Sequence, residues 1–264
     1  MKIIFVRHGE PDYTHDTLTE KGWREANLLA ERISRWKVTA FYCSPLGRAK
    51  DTASCTLEKM NRKATTLDWM QEFAYVIDDP ATGKHGVPWD FIPSYWTNDP
   101  LLLDPLQWVK SDVMKQNPQI AIKFSEVCNN FDHLLSSYGY IREKKYYKVL
   151  AAEGTEKRFS KATPLPDSPE YSKALEKDDK EPVIVIFCHL GITCVVLSHL
   201  LNIPFPLLVH GFFLPTTSIT ILSSEERWDD EVYFRVQSMG DVHHLLSKGE
   251  PISPAGSFAN PFHQ

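Results

Sequence analysis

The chain has 264 residues and a formal net charge of -5, with 42% hydrophobic and 24% charged residues. Those proportions are near the average for soluble globular proteins and exclude a disordered tail, a collagen-like repeat and a disulfide-stapled miniprotein. The length suits one large core, or a core with a smaller lobe, and the charge balance carries no sign of a nucleic-acid partner.

Residues 2–6 (KIIFV) are apolar without polar alternation, as in an interior strand of a parallel sheet. They run into Arg7-His8-Gly9-Glu10. Thr19 is placed to cap a helix in which Trp23, Ala26, Ala30, Ile33 and Trp36 recur at helical spacing. Residues 39–43 predict a second strand, Ser44-Pro45 opens a helix to about Lys59, and residues 65–67 predict a third strand. Between 78 and 118 the chain is punctuated by Pro, Trp and Asp, which predicts short elements. A helical stripe follows from Phe124 to Tyr138, then a basic stretch at 142–148 that reads as a solvated face, and a polar, loop-like segment at 153–181. Order returns with a strand at 183–188, a helix at 192–201, and strands at 217–222 and 232–236 joined by an acidic connection. This β-α-β-α-β, interruption, β-α-β-β order predicts an α/β protein with a mostly parallel central sheet and helices on both faces. Its catalytic core comprises residues 1–73 and 182–264, and residues 74–181 form an inserted lobe, expected to cap the active site.

Cys43, Cys55, Cys128, Cys188 and Cys194 form no CxxC pair, and free thiols in a reducing cytoplasm are expected. Only four apolar residues precede Arg7, too few for the apolar stretch of a secretory leader. The apolar region 182–203 is interrupted by His189, Gly191, Ser198 and His199 and reads as strand, turn and helix rather than a membrane span. A cytoplasmic protein without membrane or nucleic-acid partners is expected.

In open α/β sheets, ligands bind beyond the carboxyl ends of the strands. The predicted strands deliver Arg7, His8 and Gly9, then Ser44 with Arg48 a helical turn on, then Glu72, then His189 with Gly191 opening the next helix. Two guanidiniums suit a phosphate. A helix start offers N–H groups to an anion, an imidazole can attack phosphorus, and a carboxyl group can protonate the departing oxygen. A metal held by His8, His189 and a carboxylate is disfavoured, because two arginines repel a cation. Trp89, Trp96 and Trp108 are candidates either to wall the substrate pocket or simply to pack.

Arg7-His8-Gly9-Glu10 after an N-terminal strand resembles the signature of the histidine phosphatase superfamily, the phosphoglycerate mutase-like proteins. The runs Leu18-Thr19-Glu20-Lys21-Gly22, Ser44-Pro45-Leu46-Gly47-Arg48, Phe187-Cys188-His189-Leu190-Gly191 and Gly240-Asp241-Val242-His243-His244 resemble further family blocks, in the family's order. The resemblance covers about the first 75 and last 80 residues. It implies that His8 is the nucleophile and that Glu72 is the general acid, with Glu10 and Asp68 as rivals. It also implies that Arg7, Arg48 and His189 hold the phosphoryl group, with Gly9 and Gly191 beside it. Thr14, His15 or Thr17 stands in for a phosphate-touching Asn of the family, and Thr17, Thr14, His243 and His244 are pocket candidates.

The pattern is that of the branch of mutases and small phosphatases, and the chain lacks the Glu-Arg-His-Tyr-Gly run of phosphoglycerate mutases. The resulting expectation is a phosphatase that hydrolyses a small phosphorylated metabolite through a phosphohistidine, with no metal or other cofactor. A cofactor-dependent mutase, and a catalytically silent member that binds a phospho-ligand or a protein, are the alternatives.

Overall fold

The computed structural model describes residues 1–89, 91–149, 181–228, 230–257 and 259–262. In chain order the strands of its central sheet are β1 (Lys2–Arg7), β2 (Ala40–Cys43), β3 (Ala64–Thr66), β4 (Tyr140–Glu143) and β5 (Tyr146–Val149), followed by β6 (Val183–Cys188), β7 (Ile219–Trp228) and β8 (Glu231–Asp241). The main helices are α1 (Glu20–Ile33), α2 (Gly47–Met60), α3 (Gln119–Ser136), α4 (Leu190–Leu201), α5 (Phe205–Gly211) and α6 (His243–Leu246). Across the sheet the order is β3-β2-β6-β1-β7-β8-β5-β4.

The α/β class is as expected, but the sheet is mixed. From β3 to β1 every pairing is parallel, and from β1 through β7, β8 and β5 to β4 every pairing is antiparallel. The parallel half holds the strands whose connections contain helices, while the antiparallel half is built of two hairpins. The strands at 219–228 and 231–241 are longer than their apolar cores, because β7 and β8 go on pairing with each other from Ile219↔Asp241 to Trp228↔Glu231.

β1 lacks polar alternation because both of its faces are covered. Ile4 and Val6 face Leu29, Ile33, Ala49 and Ala53 of α1 and α2. Ile3 and Phe5 face the other layer, with Phe131 and Leu135 of α3 and Val195 of α4. Thr19 caps α1 by accepting the Gly22 N–H at 3.1 Å. The helix stops at Ile33, short of Trp36, and Trp23 lies on its outer side at 36% exposure.

Part of the interruption shares this core. Phe131 meets Phe5 with ring centroids 6.0 Å apart, so the 124–138 stripe packs on the central sheet. The stretch expected as a solvated face is a hairpin at the sheet edge. Its Tyr147 is buried, as is Tyr140 on the other strand, while Lys144 takes the turn at φ 55°. The basic residues masked an alternation in which Tyr140, Tyr147 and Val149 point inward. The polar segment expected at 153–181 lies outside the described residues except for Glu181. Among the described residues no helix is long and apolar enough to cross a membrane.

Candidate active site

The backbone at the end of β1 is held from both neighbours. The His8 N–H donates to Cys188 at 2.9 Å, and the His8 carbonyl accepts the Thr217 N–H at 3.1 Å. The imidazole is 2% exposed. Its Nδ1 lies 2.7 Å from the Gly9 carbonyl, which can only accept, so Nδ1 carries the hydrogen and Nε2 keeps a free lone pair. Burial, then the positive charges of Arg7 and Arg48, push the His8 pKa well below that of a free imidazole. The ring is therefore neutral at physiological pH, in the form a nucleophile needs.

His189, at the end of β6, faces it with ring centroids 5.1 Å apart. Ser44, at the end of β2, lies 2.8 Å from His189 Nε2. The Ser44 oxygen also accepts the Leu46 N–H at 3.3 Å, and when its own hydrogen points to Nε2 that nitrogen is the acceptor. Nδ1 of His189 is then the N–H, and it is buried without a partner. Burial is again the main cause that keeps this imidazole neutral, followed by His8 and the two arginines.

The arginines are braced on one side and bare on another. Arg7 donates from Nη1 to the Leu214 carbonyl at 2.5 Å and from Nη2 to the Ala255 carbonyl at 3.1 Å, while its buried Nε has no partner. Arg48, in the first turn of α2, donates to Asp16 at 2.6 Å, and its Nε is also buried and unpartnered. Asp16 sits at φ 49° and accepts the Gly47 N–H with its second oxygen, at 2.6 Å. An unmade hydrogen bond from a buried donor is costly. Arg7 Nε and Arg48 Nε are two such donors, and with His189 Nδ1 in its N–H form they are what a tetrahedral oxyanion would satisfy.

Glu72 follows the single turn Asp68–Met70. Its Oε1 accepts two backbone N–H groups, Phe73 at 2.8 Å and Ile192 at 3.1 Å. The first turn of α4 thus spends an N–H on Glu72. Burial nevertheless raises the Glu72 pKa, against the two N–H groups and the charges of Arg7 and Arg48. Gly191 is a glycine for room. A Cβ there would lie 2.7 Å from Glu72 Oε1 and 3.0 Å from the Trp89 indole. Gly9 is similar. Its N–H donates to Thr52 at 2.9 Å, and a Cβ would meet the Gly22 carbonyl at 2.8 Å. Both glycines expected beside the phosphate thus have close-packing roles.

The remaining candidates divide. Glu10 accepts Thr19 at 2.9 Å and Ser253 at 2.6 Å, so both its oxygens brace the loop. Asp68 is exposed. Thr14 and His15 are exposed, with their N–H groups on Asp12 in a turn, and Thr17 donates to Asp51 of α2. His243 is exposed in a shallow hollow with Leu28, Arg32 and Arg35, away from the arginine pair. His244 is one layer behind the site. Its Nε2 lies 3.1 Å from the hydroxyl of Thr217, whose N–H holds the His8 carbonyl.

Of the tryptophans, Trp108 is core, between Phe124 and Phe205, and Trp96 stacks on His210 at 4.8 Å. Trp89 reaches the start of α4. Sequence reasoning missed Asp16, the Tyr13 ring 5.5 Å over Arg48, and the carbonyls of Leu214 and Ala255. Backbone acceptors carry no residue signature, whereas Asp16 four residues after Asp12 in the same turn could have been weighed as an arginine anchor.

A family model for the histidine phosphatase superfamily (branch 1) matches residues 3–80. A 2,3-bisphosphoglycerate-dependent phosphoglycerate mutase of Thermoplasma acidophilum is 36% identical over 77 residues, 25% of this chain and 38% of that protein. The chain thus matches well under half the length of that relative. Two solved structures share the fold at 17% identity, each with a TM-score of 0.53 over 92% of this chain and 98% of theirs. One is a phosphoserine phosphatase of Entamoeba histolytica in complex with phosphoserine, and the other is a mycobacterial glucosyl-3-phosphoglycerate phosphatase with inorganic phosphate.

Proposed function

We propose that this chain, which belongs to the histidine phosphatase superfamily (branch 1), hydrolyses a small phosphate monoester through a phosphohistidine on His8. The observation that carries this reading is the set of buried donors without partners, Arg7 Nε, Arg48 Nε and His189 Nδ1, beside the free lone pair of His8 Nε2. Those donors hold the phosphoryl oxygens. His8 Nε2 attacks phosphorus as the P–O ester bond breaks, and Glu72 gives its proton to the departing alkoxide. The Glu72 carboxylate then takes a proton from water, whose oxygen attacks phosphorus. The P–N bond breaks, and free His8, protonated Glu72 and phosphate result.

The inserted segment acts as a cap in this reading, and among its described residues the span left for that task is 74–118. Residues 119–149 belong to the helix layer and the sheet. The likeness to a mutase favours a second reading, phosphoryl transfer between two positions of one substrate.

Rapid quenching with an alkyl phosphate should trap an acid-labile, alkali-stable phosphoenzyme that His8→Ala abolishes. A trapped phosphoenzyme that water discharges supports the phosphatase. One discharged only by a phosphoglycerate supports the mutase. Turnover without any trapped phosphohistidine, together with an active His8→Ala, overturns both.

A further inference from the structure

Glu72 meets groups that favour its anion on nearly every side. Phe73 and Ile192 donate to Oε1. Arg7 from β1 and Arg48 from α2 add positive charge. The first turn of α4 points its positive end at the carboxylate. The other ionisable neighbours are Cys188 at the end of β6 and Cys194 in α4, thiols that burial keeps protonated. An acid that must hold a proton near neutral pH needs an opposing influence, and exclusion of water is the one available here.

Besides Phe73, Ile192, Arg7 and Arg48, the start of α4 borders the carboxylate at Gly191. The interruption in the fold adds Trp89 at the same place. The Trp89 indole and Glu72 Oε1 converge on one point. Measured from the position of a Cβ on Gly191, they lie 3.0 Å and 2.7 Å away. Trp89 itself packs against the main core cluster, so the ring is held there. The missing side chain of Gly191 leaves a space over the start of α4 that indole and carboxylate both border.

We propose that Trp89 is a positioning residue for the reaction, an apolar wall from the inserted segment that shuts water away from Glu72 and so keeps it an acid. The inference rests on the reading of Glu72 as proton donor. It assigns the cap a chemical task besides substrate recognition, and it lets the enzyme cleave esters with poor leaving groups, which need the donated proton.

The test compares Trp89→Leu, Trp89→Gln and Trp89→Phe with Glu72→Gln, on an alkyl phosphate and on nitrophenyl phosphate, across pH. Leu and Gln have similar volumes and differ in polarity, so a packing role alone would treat them alike. Trp89→Gln should move the basic limb of kcat/KM for the alkyl ester down by about one pH unit, a loss of about tenfold above the pKa. The kcat/KM for nitrophenyl phosphate, which reports steps through formation of the phosphoenzyme, should hardly change. Trp89→Leu should keep most of the alkyl activity, and Trp89→Phe should restore the limb.

An unmoved limb in folded Trp89→Gln overturns the proposal. So do equal losses for both substrates, or equal behaviour of Leu and Gln. Glu72→Gln separates the two ideas. If it spares the alkyl ester, the acid assignment has failed. If it selectively abolishes alkyl turnover while Trp89→Gln leaves the limb in place, only the wall has failed.

Discussion

Ser44 and His189, 145 residues apart in sequence, meet at 2.8 Å between Oγ and Nε2, a bond through which the hydroxyl can hold the imidazole with its hydrogen on Nδ1. With Nε2 occupied, Nδ1 presents an N–H to the site. Ser44→Ala removes the donor and leaves a buried Nε2 free to take the hydrogen, a change that costs about 1–3 kcal/mol for a buried group. The expected outcome is a loss of about ten- to a hundredfold in kcat/KM, partly recovered in Ser44→Thr, which keeps the hydroxyl. Full activity in a folded Ser44→Ala would detach His189 from phosphate binding.

The charge at the site is carried by guanidiniums. Arg7 and Arg48 are both buried, and each keeps an Nε with no protein acceptor. A dianionic phosphoryl group is matched by them without a divalent ion. Turnover should therefore survive dialysis against a strong chelator with unchanged kcat. Activity that returns only on adding Mg²⁺ or Zn²⁺ would sink the phosphohistidine mechanism.

Buried imidazoles also set how stability depends on pH. His8, His189, His210 and His244 all have folded-state pKa values below the free value of 6.5, with burial as the main cause in each. As pH falls through 6.5 the unfolded chain takes up protons that the folded chain refuses, so stability is present above 6.5 and is lost below it. For His244 the loss continues down to about 4. Glu25 and Glu72, raised by burial, act in the opposite sense as pH falls through their folded values. His244→Asn should flatten the slope of unfolding free energy between pH 6 and 5 by up to about 1.4 kcal/mol per pH unit. Denaturant titrations at several pH values measure this, and an unchanged slope would show that His244 does not titrate as its burial requires.

The parallel half of the sheet was legible because each strand there is a short apolar run with a polar or glycine-containing end, as at 2–6 and 183–188. The residues at those ends, Arg7, His8 and His189, are brought together as their strand positions suggested. In the antiparallel half the strands at 217–222 and 232–236 were legible as apolar runs, but the outer hairpin was not. Tyr140 and Tyr147 sit among Arg and Lys, and burial of alternate residues at a sheet edge looks polar when summed. The brace of Arg7 was invisible for another reason. Its partners are the carbonyls of Leu214 and Ala255, more than 200 positions away, and any residue type supplies a carbonyl. Gly191 is the instructive case. A glycine at a helix start reads as an anion site, yet here the Ile192 N–H holds Glu72, and the absent side chain makes way for Glu72 and Trp89.

At Gly191 stability and activity respond differently to an added side chain. Gly191 lies in the first turn of α4 with ordinary helical geometry, so alanine is favoured there by roughly 1 kcal/mol on backbone grounds. Against that, the new methyl group would meet Glu72 Oε1 at 2.7 Å and the Trp89 ring at 3.0 Å, and one of them must move. Overpacking of this kind costs about 1–3 kcal/mol, so Gly191→Ala should fold with a Tm close to or somewhat below the parent's. Its catalysis should change in kind. With Glu72 displaced, kcat/KM for an alkyl phosphate should drop by the order of 10²–10⁴ associated with loss of a general acid. Nitrophenyl phosphate, whose leaving group departs as an anion, should lose far less. If the helix start at Gly191 instead bound the phosphoryl group itself, both substrates would lose activity together and affinity for inorganic phosphate would weaken. Parallel measurement of the two esters and of phosphate inhibition decides between a glycine that makes room for the acid and one that binds the anion.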